Sequence, residues 1–203
     1  MKISIYSSLF VITLLVAGAM SVGVFGGPAS SLRAASAAPF DVDMFVKTIG
    51  PIRNDKLTPC INKLLTINDN IAATKQLITC KGYANQYNAK IKSASKKSAS
   101  PEVAAAKLDA DTDKQLLDFA TVGIDLSKNG SRYPEAKVKQ KTTAILNILN
   151  RLLADFDQLA ASYPDTAVYQ KFYPEGVATS REGFTQLRDL VSQKLNGELP
   201  PAE

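Results

Sequence analysis

An all-α fold, an up-down antiparallel four-helix bundle entered by an irregular N-terminal arm, is what this sequence predicts, and three observations predict it. Apolar residues recur at helical spacing over several long stretches, short polar or Pro- and Gly-bearing segments separate them, and no strand-type alternation competes. Amphipathic helices joined by short turns bury their apolar faces by packing side by side.

Residues 1–37 read as a targeting segment. Lys2 opens it, an apolar run from Leu9 to Phe25 is broken only by Thr13 and small residues, and Gly23, Gly26, Gly27 and Pro28 weaken its end. The run approaches the ~18 residues needed to span a bilayer, but that weak end and the Ala35-Ser36-Ala37 triplet favour a cleaved export signal over an anchor. The mature chain then begins near Ala38, with Met20-Ser21 as the competing exit.

Residues 38–58 are expected to form the irregular arm, with Phe40, Met44, Phe45, Val46 and Ile49 as apolar points and Pro51 as a stop. Asp41 to Ile49 forms one short helix there or lies extended on the body. The helical bundle is assigned to residues 59–197. Thr58-Pro59 supplies a cap residue and a Pro at the first helical position. Ile61, Leu64, Leu65, Ile71, Leu77, Ile78, Ala84, Tyr87 and Ile91 then recur at helical spacing to about Ser93.

Cys60 and Cys80 constrain this stretch. A straight helix places them about 30 Å apart, whereas a disulfide needs Cα atoms within about 7 Å. Either the chain reverses at Asn68-Asp69-Asn70 and the cysteines are bonded, or the helix is continuous and they are separate thiols. An even cysteine count in an exported chain favours the reversal.

A polar linker over residues 93–100 ends at Ser100-Pro101, which starts a helix that stops at Asn129-Gly130. Ser131 and Tyr133-Pro134 open the next, whose broad apolar stripe runs from Val138 to Ala160. Pro164 and Pro174 bracket a short segment, a last helix follows from Thr179 or Ser180 to Leu195, and residues 198–203 form a loose tail.

Composition argues against catalysis. The chain has no His and no Trp, so the commonest general base and metal ligand near neutral pH is missing. Two cysteines without His are too few for a structural zinc site, and no Gly-rich phosphate loop occurs. Asp109, Asp111 and Asp113 alternate as in a calcium loop, but neither the loop Gly nor the closing Glu follows, so they read as a solvated helix face, as do Asp155 and Asp157. Tyr163, Tyr169, Phe172 and Tyr173 read as an aromatic seal at one end of the bundle with phenol oxygens at the surface. No catalytic residue, metal or cofactor is expected.

Charge is more informative in its distribution than in its total. Removing residues 1–37 takes away Lys2 and Arg33, leaving 24 − 2 = 22 basic against 19 acidic residues, too weak a balance for nucleic-acid binding. Between Asp69 and Glu102, however, there is no acid, while Lys75, Lys81, Lys90, Lys92, Lys96 and Lys97 fall there. Lys128, Arg132, Lys137, Lys139 and Lys141 form a second basic group relieved only by Glu135. Together they are expected to make one positive end or face that docks on an acidic partner or an anionic membrane.

The second half resembles a known family. Leu146-Asn147-Ile148-Leu149-Asn150-Arg151-Leu152-Leu153-Ala154-Asp155-Phe156-Asp157-Gln158-Leu159-Ala160-Ala161, a short break, Tyr169-Gln170-Lys171-Phe172-Tyr173 and a last helix with Phe184 and Leu187 are similar to the end of the PsbQ-like extrinsic proteins of photosystem II. The resemblance covers residues 110–195 as pattern. It implies a lumenal four-helix bundle, monomeric when free, that docks on acidic lumenal subunits of photosystem II, peripheral to the thylakoid membrane, and supports oxygen evolution without catalysis of its own. On this reading the acid-free residues 22–37, with their serines and Arg33, are a reduced plastid transit element of the type in algae with complex plastids. The alternative is a secreted or periplasmic helical protein that binds a small apolar ligand or a partner protein.

Overall fold

A computed structural model describes residues 40–197. The signal segment and cleavage site expected within residues 1–38 and the tail expected at residues 198–203 lie outside the described residues. The fold is all-α, and no strand occurs among the described residues.

Of the two forms expected for Asp41 to Ile49 the short helix is the one found, and the rest of the stretch expected as an irregular arm is helical as well. Asp41 caps α1 (Val42–Ile52) by accepting a hydrogen bond from the Met44 amide at 2.8 Å, and Phe45, Val46, Ile49 and Gly50 face inward. Pro51 does not stop it. Instead the chain widens into one π-helical turn, Arg53–Leu57, in which the Thr58 amide reaches back to the Arg53 carbonyl. The Thr58 hydroxyl donates to that same carbonyl at 2.9 Å. A π turn adds one residue without breaking the helix. Arg53 and Leu57, the first and last residues of this turn, are both buried.

The chain runs straight on into α2 (Thr58–Thr66), which buries Cys60, Ile61, Leu64 and Leu65. It then reverses, and Asp69 caps α3 (Asn70–Ser95) by accepting from the Ala72 amide at 2.7 Å. Cys60 and Cys80 meet across this hairpin in a disulfide with Cα atoms 5.5 Å apart, which selects the reversal over a continuous helix. Closing a loop of this length stabilises a fold by about 3 kcal/mol through the unfolded chain. Reduction, or the double change Cys60→Ser and Cys80→Ser, is therefore expected to lower the melting temperature by roughly 6–12 °C, read by circular dichroism with and without reductant.

The buried residues of α3 are Ala73, Leu77, Cys80, Ala84, Tyr87, Ile91 and Ala94, a stripe spaced strictly by four and three. Ile71 and Ile78, expected on the inner face, are 65% and 67% exposed because they fall outside that stripe. Ser100 and Pro101 then start α4 (Pro101–Asn129), which packs against both α3 and the next long helix and so buries a wider face. A single 3-10 turn, Gly130–Arg132, leads to α5 (Glu135–Ser162), whose inward row is Thr142, Ile145, Leu149, Leu152, Phe156 and Leu159.

The segment between Pro164 and Pro174 holds a short helix, α6 (Ala167–Phe172), capped by Thr166. Its first amides, Ala167 and Val168, donate to the Glu102 carboxylate at 2.9 and 3.0 Å. Gly176, at a φ of +76°, turns the chain back in a conformation that other residues rarely adopt, and α7 (Ala178–Leu195) returns along α5. Sequential long helices are thus packed neighbours, α3 beside α4, α4 beside α5 and α5 beside α7, with α1 and α2 laid against α3.

Candidate functional site

The Asp109 and Asp113 carboxyls do not face solvent as the sequence suggested. They lie one turn apart on the inner face of α4, buried to 0% and 2% exposure, and only Asp111 between them is exposed. The reason is a partner from elsewhere in the chain. Arg53, 3% exposed at the start of the π turn, lies in the core, where its Nε and Nη2 donate to the Asp109 carboxylate at 3.0 and 3.1 Å.

Two buried phenols complete the shell of Asp109. The Tyr87 hydroxyl, from α3, donates to Oδ2 at 2.6 Å, and the Tyr173 hydroxyl, from the turn after α6, donates to Oδ1 at 2.8 Å. One carboxylate thus ties together the π turn, α3, α4 and the loop before α7. The guanidinium also lies 5.7 Å from the ring centres of both Phe172 and Tyr173. The aromatic group therefore does more than seal an end. Tyr173 turns its oxygen inward to Asp109, Phe172 is buried, and Tyr163 and Tyr169 are half-buried.

Asp113 is the unbalanced member. Its Oδ2 lies 3.1 Å from Arg53 Nε, but Nε carries one hydrogen and that hydrogen is directed to Asp109, so this buried oxygen accepts no hydrogen bond. Two acids share one cation. Burial pushes the Asp113 carboxyl up to about 7, with Asp109 adding to the rise and Arg53 opposing it. Burial pulls the Arg53 guanidinium down, but the two carboxylates outweigh it and hold the charge in place. Burial, then Asp109, keeps both tyrosines protonated.

The pH dependence follows in sign. Between the unfolded value near 4 and the folded value of about 7 the native state holds the extra proton, so this group favours folding most in acid and its contribution is lost as pH rises through about 7. Asp113→Asn is expected to flatten the stability profile between about pH 5 and pH 8 and to exceed the parent in stability at the alkaline end. Urea unfolding of both proteins across that range measures it.

A partly open cavity of about 50 Å³ adjoins the cluster between α2, α4, α5 and α7. Its apolar wall comes from Ile61, Leu65, Leu116, Phe156 and Phe184. Its polar wall comes from Asp113, Thr58, Asn62 and Ser180. A carboxyl titrating near neutrality beside such a space can hold a proton or a ligand's donor group.

The basic residues do not gather at one end. Lys90, Lys92, Lys96 and Lys97 are exposed where α3 turns into α4, whereas Lys128, Arg132, Lys137, Lys139 and Lys141 lie where α4 turns into α5. The 29 residues of α4 hold the two groups about 40 Å apart. Lys75 is exposed near the start of α3, and Lys81 is half-buried midway along it.

The two groups also differ in their neighbours. Lys141 pairs with Asp125 at 2.7 Å, Lys137 lies 4.0 Å from the centre of the Tyr133 ring, and the Tyr133 hydroxyl donates to Asp125. Hydrogen bonding by Lys141, above all, lowers the Asp125 carboxyl to about 2. Among the described residues, Lys90, Lys92, Lys96 and Lys97 form no ion pair. Glu102, the first acid after them in the chain, is occupied by the α6 amides. Asp155 accepts from Gln115 and is half-buried, while Asp157 pairs at the surface with Arg181, so of the two only Asp157 lies on a solvated face.

No family model matches the chain, and comparison with curated proteins and with solved structures likewise gives no match.

Proposed function

We propose that this protein works by docking, presenting the lysine-rich turn between α3 and α4 to an acidic surface. On this reading α3, α4, α5 and α7 are the four members of an up-down bundle, and α1 with α2 braces it through the disulfide and the Arg53–Asp109 cluster. The partner is the acidic lumenal face of photosystem II, as the resemblance over residues 110–195 implies. The protein is an extrinsic accessory subunit there, peripheral to the thylakoid membrane, without catalysis or cofactor of its own and monomeric when free.

One observation carries the reading: Lys90, Lys92, Lys96 and Lys97 are exposed together, and the first acid beyond them is already engaged by backbone amides. A patch of one sign steers association by summing many weak contacts. Such docking is screened by salt, with a Debye length of about 3 Å at 1 M. Washing thylakoid membranes with about 1 M salt is expected to release the protein into the soluble fraction. Retention through that wash, or absence of the protein from thylakoids at low salt, overturns the proposal.

A further inference from the structure

The cavity beside Asp113 has a chemistry that surface docking does not use. Two carboxyl groups meet one guanidinium inside the protein, and both tyrosine hydroxyl hydrogens are directed to Asp109. Arg53 and Tyr173 face Asp113 from the chain segments packed on α4, and Asp109 precedes it on α4 itself. Among the described residues, Arg53 is the one basic side chain lining the cavity. What the site lacks is a second positive charge with hydrogens to give.

We propose that this cavity binds the ammonium head of a small primary amine, with Asp113 as counter-ion and the oxygens of Thr58, Asn62 and Ser180 as further acceptors. The Thr58 hydroxyl gives its hydrogen to the Arg53 carbonyl, which leaves its lone pairs free to accept. Ile61, Leu65, Leu116, Phe156 and Phe184 offer the opposite wall to a short alkyl chain. An anion meets an excess of negative charge here, and a wholly apolar ligand leaves Asp113 unanswered. At about 50 Å³ the space is a third of the roughly 150 Å³ that admits benzene, so the head enters and any longer tail points outward.

The proton is the competitor. Because burial sets the Asp113 carboxyl near 7, the amine binds the ionised form and weakens as pH falls below that value. The site is independent of the lysine turn and stands or falls apart from docking.

Titration of the ¹⁵N-labelled full chain with propylammonium, followed by amide shifts at residues 58–65 and 112–116, tests this. At about pH 8 the shifts are expected to saturate with a dissociation constant on the order of millimolar, fitting so few atoms. The constant is expected to rise roughly tenfold for each pH unit below about 7. Propan-1-ol, the neutral isostere, is expected to bind at least about tenfold more weakly. Asp113→Asn is expected to abolish saturation, and Ser180→Phe, a bulky side chain at a partly exposed lining position away from the ion cluster, is expected to do the same with helix content intact. Equal binding of propan-1-ol, undiminished binding by either variant, or no saturable shift in the parent overturns the proposal. Should Asp113→Asn fail to fold, Ser180→Phe and the alcohol decide.

Discussion

Replacing Arg53 by Ala is expected to destabilise the protein by about 3–5 kcal/mol, among the largest losses of any single change at the cluster. Among the described residues the guanidinium is the only cation paired with Asp109 and Asp113, and its removal leaves both acids in the core, Asp109 with two phenol hydroxyls and Asp113 with no charged partner. The penalty is that of uncompensated buried charge rather than the worth of the ion pair itself. With a urea dependence of roughly 2 kcal/mol per M, the unfolding midpoint falls by about 1.5–2.5 M. Asp109→Ala is expected to fall in the same range, since it strands Arg53 and two phenols together. Tyr87→Phe loses one hydrogen bond to a charged group and costs about 1.5–3 kcal/mol. An apolar triple variant, Arg53→Met with Asp109→Leu and Asp113→Leu, is expected to recover most of the loss, because no charge is then left without its partner.

Much of the fold was legible in the sequence because periodicity and turn chemistry agreed. The starts of α4 and α5 and the reversal at Asp69 fall where Ser100-Pro101, Tyr133-Pro134 and Asn68-Asp69-Asn70 place them. Beyond Ile49 the arm was misread because Pro51 is ordinarily a helix stop, and no local signal announces that the helix continues through it into a π turn. A signal did exist at longer range. Val46, Ile49, Arg53, Leu57, Cys60 and Leu64 form one unbroken stripe of threes and fours, with a single charged residue on it. Likewise Ala106, Asp109, Asp113, Leu117, Ala120 and Ile124 mark the inner face of α4. One Arg on one apolar stripe and two Asp on another mark a buried ion cluster more directly than any motif does. What the sequence did not carry was which helix faces which, and so neither the tyrosine shell of Asp109 nor the separation of the two basic groups could be read from it. The exposed Ile71 and Ile78 teach the converse lesson: on α3 the packing stripe mixes small residues with Leu77, Tyr87 and Ile91, and a large apolar side chain off that stripe is left in solvent.

On the proposed function, docking rests on the lysine turn. Each exposed contact contributes on the order of a kcal/mol or less, so no single substitution is expected to abolish binding. Reversing Lys90, Lys92, Lys96 and Lys97 together to Glu is expected to act through their sum, and helix content is expected to survive because all four are exposed. The most direct measurement is rebinding of parent and fourfold variant to salt-stripped photosystem II particles from about 20 mM to about 500 mM salt. The parent is expected to bind tightly at low salt and to lose affinity steeply across the series. The variant is expected to bind roughly tenfold to a hundredfold more weakly at low salt, with slower association and little salt dependence left. A variant that rebinds like the parent at low salt contradicts the claim.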